Sequence, residues 1–142
     1  MKKIISQLIL IYLFIIPISL ISAETVLKIG KSDAKVTIKV FSSLTCPHCA
    51  KFHENIFEKL KKEYIEKKTV RFEHHSFPLD LAALNAEIII RCTIDNDKSF
   101  QLLGEIYKKQ SQWAVGSDIN NINESIKRIG LDSGLGQNKM DE

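Results

Sequence analysis

The sequence predicts an α/β fold in which a strand–helix–strand unit is followed by a block of helices. Residues 36–41 and 70–76 have the composition of strands, the first with apolar and polar side chains in alternation. The residues between them carry apolar side chains at helical spacing, and residues 79–131 then show successive helical patterns without a strand pattern. A crossover this long implies a parallel strand pair joined in the right-handed sense.

The first 23 residues have the pattern of an export signal. A short basic start precedes an apolar run over residues 8–21, and we expect cleavage after Ala23. An uncleaved membrane anchor is the alternative, because residues 4–21 approach the length that crosses a bilayer. Either reading delivers the rest of the chain to an oxidising space such as the periplasm, where a cysteine pair can cycle.

The remaining residues are enough for one small domain. We predict a domain over residues 24–131, made of a strand–helix–strand unit (24–78) and a helical block (79–131), followed by a disordered polar tail (132–142). The formal net charge of +3 includes the basic start, so the domain itself is nearly neutral. A nucleic-acid partner is therefore not expected.

A minor edge strand is expected within residues 24–32, and a helix over residues 47–65 connects the two longer strands. Its predicted buried stripe contains the apolar side chains Phe52, Ile56, Phe57, Leu60 and Tyr64. Helices are then expected over residues 79–93, 97–110 and from 117 to a cap at Gly130, the first of them apolar almost all round and therefore buried.

Two cysteines stand three positions apart where the first long strand gives way to the helix. If Cys46 lies at the N-cap or in the first turn, its sulfur faces unpaired backbone N–H groups and the positive end of the helix dipole, which favour the thiolate. Pro47 then falls in the first turn, where a missing N–H costs little. Cys49 lies one turn on and is shielded by the helix. This layout predicts a redox pair in which Cys46 is the nucleophile and Cys49 resolves.

The segment Cys46-Pro47-His48-Cys49 resembles the C-P-H-C active site of the DsbA-type thiol:disulfide oxidoreductases of the thioredoxin superfamily. Looser, collinear similarity extends the resemblance over about residues 26–132. It depends on Phe77-Pro-Leu-Asp80, Gln112-Trp113 and Gly130-Leu-Asp132. The resemblance implies a thioredoxin-like fold with the DsbA-type helical insertion.

The resemblance also implies an oxidant that promotes disulfide formation or exchange in secreted proteins. Cys46 and Cys49 would be catalytic, and Pro47 and His48 would modulate the thiolate, because a protonated His48 adds positive charge beside the sulfur. The implied partners are reduced secreted proteins and a membrane or soluble redox partner that reoxidises the pair. No cofactor is expected.

The sequence departs from the family after the helical block. The family has two further strands, a closing helix and a cis-proline loop, whereas residues 94–142 show no strand pattern and the only prolines are Pro17, Pro47 and Pro78. We therefore expect a C-terminally truncated relative with an incomplete sheet. Two alternatives to an active enzyme remain open: an inactive remnant, or a membrane-tethered module that handles thiols or metal ions.

A zinc site is the alternative use of the cysteine pair. A structural site would need a second ligand pair, and no second C-x-x-C is present. His53 lies two helical turns from the first cysteine, and His74 and His75 point to opposite faces of a strand. We therefore expect no metal site, and we expect Cys92 and Trp113 to be packing residues.

Overall fold

A computed structural model describes residues 26–93 and 95–140 as helices packed on a small three-stranded sheet. The strands are β1 (Leu27–Ile29), β2 (Val36–Ser42) and β3 (Val70–Ser76), in the spatial order β1-β3-β2. β2 and β3 pair in parallel, and β1 adds to the other side of β3 in antiparallel orientation. The predicted parallel pair and the minor edge strand are confirmed.

The predicted export signal lies outside the described residues. Within the part of the chain that the structure covers, no helix is long and apolar enough to cross a membrane.

One continuous helix, here called the cysteine helix (residues 47–65), connects β2 to β3. It consists of α1 (Pro47–Phe52), a π-helical turn (His53–Phe57), a short α-helical turn (Glu58–Leu60) and a second π-helical turn (Lys61–Ile65). The second π-helical turn is closed by the bond from the Glu66 N–H to the Lys61 carbonyl, 2.9 Å long.

The predicted buried stripe of the cysteine helix is partly wrong. Phe57 is buried as expected, but Ile56 and Tyr64 are 55% and 48% exposed, and Ile65 is buried instead. A π-helical turn holds more residues than an α-helical turn, so the residues after it are rotated away from the 3.6-residue period. Phe72 of β3 completes the core on this side by packing its ring 4.7 Å from that of Phe57.

Four helices follow β3: α2 (Leu81–Ile90), α3 (Asn96–Lys108), α4 (Gln110–Trp113) and α5 (Ile119–Asp132). The three longer helices each begin after an aspartate whose carboxylate accepts bonds from the first backbone N–H groups, namely Asp80, Asp95 and Asp118. These caps explain why the helical block begins and restarts where the sequence predicts.

α2 is not buried on every side, contrary to the prediction from its composition. Ala86 and Ile90 are fully buried, whereas Leu81, Leu84 and Ile88 are exposed. α2 packs against α3 and α5 along one face only, so its remaining apolar side chains face solvent.

The described part of the predicted tail packs against the helical block. α5 continues through Gly130 to Asp132, and the chain then turns back so that Leu135 and Met140 pack on Gly130. A Cβ atom on Gly130 would lie only 2.9 Å from the Met140 sulfur, so the glycine permits this close approach. The domain boundaries predicted at residues 24, 78 and 131 remain predictions.

A buried chain of hydrogen bonds joins the sheet to the helices. Glu87 of α2 bonds His74 Nε2 at 3.2 Å, and His74 Nδ1 bonds the Ser42 hydroxyl at 3.2 Å. The Tyr107 hydroxyl of α3 donates to the same Ser42 oxygen at 3.0 Å. Arg91 donates to the other Glu87 oxygen at 2.8 Å. These bonds satisfy polar groups that would be costly to bury unpaired.

The charge of Glu87 depends on this chain. Burial raises the pKa of the Glu87 carboxyl. Its bonds and charge interactions with His74 and Arg91 lower the pKa by more than burial raises it, so the pKa lies below its ordinary value. Burial raises the pKa of Tyr107 above its ordinary value, which keeps this phenol protonated as a donor. The buried hydrogen bonds therefore keep Glu87 as a carboxylate inside the fold at neutral pH.

We predict that Glu87→Ala lowers the free energy of unfolding by about 3–5 kcal/mol, because it removes the buried carboxylate to which His74 and Arg91 are bonded. Glu105→Ala is the matched control. Its carboxylate lies 3.8 Å from Lys108 and Lys109 at the surface, so its loss should cost at most about 1 kcal/mol. Urea unfolding of both variants measures the difference, and equal losses would contradict the prediction.

The same variants give a second readout in acid. The pKa of Glu87 is lower in the folded state than in the unfolded state. The contribution of Glu87 to the free energy of unfolding is therefore fully present above its unfolded pKa of about 4.3, and it is lost as the pH falls through its folded pKa. The unfolding free energy of the Glu87→Ala variant should therefore depend less steeply on pH in this range than that of the Glu105→Ala variant.

Candidate active site at the Cys46–Cys49 pair

Cys46 occupies the N-cap of the cysteine helix, one of the two positions expected from the sequence. Its backbone is extended, with φ −77° and ψ 116°, and Pro47 is the first helical residue. The Cys46 N–H donates to the Ser43 carbonyl at 3.1 Å, and the Cys46 carbonyl accepts the first helical bond from Ala50 at 3.1 Å. The sulfur is therefore carried at the positive end of the helix.

The surroundings of Cys46 favour its thiolate. Partial burial raises the pKa of the Cys46 thiol. The Cys49 thiol and the backbone N–H groups of Cys49 and His48 face the sulfur and lower this pKa by more than burial raises it. The resulting pKa lies below that of an ordinary thiol. Such a shift increases the fraction of the reactive thiolate near neutral pH.

The surroundings of Cys49 favour its protonated thiol. It lies one turn on and packs against the core. Burial raises the pKa of the Cys49 thiol, its interaction with the Cys46 sulfur raises it further, and the Ser43 backbone N–H only partly offsets these effects. The two sulfurs interact directly, and both cysteines are free thiols in this structure.

Pro47 and His48 are exposed between the two cysteines. His53, further along the same helix, is buried between the rings of Phe57 and Tyr107, whose centroids lie 4.6 and 5.0 Å from that of His53. Burial, with smaller contributions from nearby positive charges, lowers the pKa of His53 to about 4. His53 is therefore an uncharged core residue.

The remaining sequence candidates lie away from the cysteine pair. His74 belongs to the buried hydrogen-bond chain, whereas His75 lies on the opposite face of β3 and stacks on Phe41 at 4.7 Å. Cys92 lies just beyond α2 and packs against the core, and Trp113 is buried. Among the described residues, no group of three His, Cys, Asp or Glu side chains lies close enough together to hold a metal ion.

The helices after β3 also anchor the loop that carries Cys46, and the sequence did not indicate this. The Thr45 hydroxyl donates to Asp80 at 2.7 Å, and the second oxygen of the same carboxylate caps α2 by accepting from the Ala83 N–H at 2.7 Å. Asp80 therefore ties the start of α2 to the loop. An aspartate before an apolar run could have indicated that Asp80 caps a helix, but nothing in the sequence indicates its bond to Thr45.

Gln110 makes the second anchor. Its side-chain Nε2 donates to the Leu44 carbonyl at 2.6 Å and to the Cys46 carbonyl at 3.1 Å. Gln110 and Cys46 are 64 residues apart in sequence, so local patterns give no indication of this contact.

The comparisons with known proteins agree with this geometry. A family model described as Thioredoxin matches residues 22–141. A putative protein-disulfide oxidoreductase of Rickettsia bellii is 32% identical over 108 residues, which cover 75% of this chain and 41% of that protein. Disulfide bond formation protein D of Bacillus subtilis is 29% identical over 110 residues, which cover 71% of this chain and 49% of that protein.

The crystal structure of α-DsbA1 from Wolbachia pipientis is similar to this fold with a TM-score of 0.75 and 26% sequence identity. The match covers 86% of this chain and 60% of that chain. The chain spans 41–49% of the length of the two curated relatives described here. The family match covers all of the described residues, including the cysteine helix and the helices after β3. The chain therefore belongs to the thioredoxin family, with the thioredoxin-like α/β fold and the helical insertion of the DsbA proteins.

Proposed function

We propose that the chain is a DsbA-like protein-disulfide oxidoreductase in which Cys46 is the nucleophile and Cys49 is the resolving cysteine. The observation that carries the proposal is the placement of Cys46 at the helix N-cap and of Cys49 one turn on against the core, which lowers the thiol pKa of Cys46 and raises that of Cys49. An exchange site needs one sulfur that is stable as a thiolate and a second sulfur within reach.

In the first step a substrate thiolate attacks Cys46 of the Cys46–Cys49 disulfide. The bond between the two cysteines breaks, a mixed disulfide forms between the substrate and Cys46, and Cys49 leaves as a thiolate and takes up a proton. Attack at Cys46 is favoured because Cys49 packs against the core, whereas Cys46 lies beside the exposed residues Pro47 and His48.

In the second step another substrate thiolate attacks the substrate sulfur of the mixed disulfide. A substrate disulfide forms, and Cys46 leaves as the thiolate that the helix N-terminus stabilises. The substrate has lost two electrons and two thiol protons, and the cysteine pair has gained both electrons. A low thiol pKa at Cys46 speeds this departure and favours the reduced pair, so the disulfide acts as an oxidant.

The proposed substrates are reduced, incompletely folded proteins exported to the periplasm, and a membrane or soluble redox partner reoxidises the pair. Two features support this choice. The leader-like pattern before the domain predicts export, and an exposed apolar stretch formed by Phe77, Leu79 and Leu81 follows β3 beside the loop that carries Cys46. Unfolded chains present apolar side chains to such a surface.

The proposal is tested by mixing the oxidised protein with a reduced peptide that contains two cysteines. One peptide disulfide should form for each protein disulfide lost, faster than with the same concentration of oxidised glutathione. A rate no greater than that of glutathione would contradict the proposed activity.

We predict that Cys46→Ser abolishes exchange, whereas Cys49→Ser leaves a nucleophile that accumulates mixed disulfides, because Cys46 carries the favoured thiolate. Mass spectrometry of both variants after incubation with oxidised glutathione distinguishes them. Cys92→Ser is the control and should exchange like the unmodified protein, since Cys92 packs beyond α2. Mixed disulfides trapped in the Cys46→Ser variant alone would reverse the assignment.

We predict that His48→Ala makes the disulfide less oxidising, because the variant lacks the imidazole that, when protonated, adds positive charge beside the Cys46 thiolate, while the backbone N–H groups remain. The equilibrium with glutathione should shift by about two- to tenfold, which corresponds to at most about one unit in the thiol pKa. Lys51→Ala is the control, since it removes a positive charge from the last turn of α1. An unchanged potential for His48→Ala, or an equal shift for Lys51→Ala, would refute the role of His48.

A further inference from the structure

Gln110 reaches from the helical insertion to the main chain of the Cys46 loop. It begins α4, and its amide nitrogen donates to the carbonyl oxygens of Leu44 and Cys46, at 2.6 and 3.1 Å. Leu44 is 1% exposed, so its carbonyl lies in a region where an unpaired acceptor is costly. The Cys46 carbonyl also accepts the first helical bond from Ala50, so Gln110 shares this acceptor with the helix.

The short helix that carries Gln110 is packed against α3. Trp113 of the same short helix is buried, and its indole N–H donates to the Ile106 carbonyl of α3 at 2.8 Å. The Gln110 N–H donor is therefore fixed relative to α3, which also carries Tyr107 of the buried hydrogen-bond chain. A donor held in place in this way favours one loop conformation over others.

We propose that Gln110 is a positioning residue for thiol–disulfide exchange: by binding the Leu44 and Cys46 carbonyls, its amide holds the loop so that the Cys46 sulfur stays at the N-terminus of the cysteine helix. The proposal rests on the proposed function of the cysteine pair. Nothing in it requires Gln110 to touch the substrate or the sulfur.

The geometry explains how such a residue acts on the thiolate. The backbone N–H groups of His48 and Cys49 stabilise the Cys46 sulfur only while Cys46 keeps its extended N-cap conformation. Loss of the amide removes the hydrogen bond from Gln110 to the Leu44 carbonyl. The loop can then move and rotate the Cys46 sulfur away from those N–H groups. The amide also places partial positive charge next to the Cys46 peptide, which favours the anion.

Gln110→Leu removes the donor with little change in size, and Gln110→Glu replaces it with a carboxylate that faces two carbonyl oxygens. The chain offers a matched control in Gln112, which is exposed in the same short helix. Gln112→Leu and Gln112→Glu make the same chemical changes two residues away.

The experiment measures the pKa of Cys46 in the reduced full-length protein from the pH dependence of alkylation, with peptide mapping to separate Cys46 from Cys49 and Cys92. Gln110→Leu should raise the pKa by about half a unit to one unit, and Gln110→Glu should raise it further. The equilibrium with glutathione should move by about three- to tenfold towards a less oxidising disulfide. Both Gln112 variants should match the unmodified protein.

Unchanged Cys46 titration in Gln110→Leu, or equal shifts in the Gln110 and Gln112 variants, would overturn the proposal. If Gln110→Glu fails to fold, Gln110→Asn provides the second test, because its shorter amide should lose the two bonds and raise the pKa as Gln110→Leu does. Failure of the proposed function is a separate result. The unmodified protein would then give no exchange with the dithiol peptide, while the alkylation series would still report whether Gln110 positions Cys46.

Discussion

The hydrogen bonds between the helical insertion and the end of β2 are the constraint on which the site depends. Ser42 is bound by Tyr107 and by His74, and the loop that follows is bound by Gln110 and Asp80. The strand end and the loop would otherwise be free to move relative to the cysteine helix. The insertion therefore fixes the short connection from which Cys46 enters that helix.

A fixed connection matters because the stabilisation of a thiolate at a helix N-terminus is local. The helix dipole contributes about 0.3–1 kcal/mol and acts within the first turn, and each backbone N–H acts only at hydrogen-bond distance. Cys46 meets both conditions at the N-cap, whereas Cys49 packs against the core and its thiol pKa is raised. Two identical side chains thus become chemically different because the helix places one at its start and the other one turn inside.

Local patterns in the sequence were enough to predict β2, β3, the position of Cys46 at the start of its helix and the helices of the insertion, since alternation and helical spacing act over a few residues. The exposure of Ile56 and Tyr64 could not be predicted, because the π-helical turns that rotate them break the helical period. The bonds of Gln110 to the Cys46 loop depend on tertiary packing across 64 residues. The packing of Met140 on Gly130 was missed because a polar segment gave no sign of one buried side chain.

The fold makes Cys46 and Cys49 unequal thiols, because only Cys46 lies at the helix N-cap. The direct measurement is the pair of individual pKa values in the unmodified, reduced protein, obtained from the rate of alkylation at each cysteine as a function of pH. We expect Cys46 to titrate below the ordinary value of a free thiol, about 8.5, and Cys49 to titrate above it. Equal values for the two cysteines, or a lower value for Cys49, would contradict this expectation.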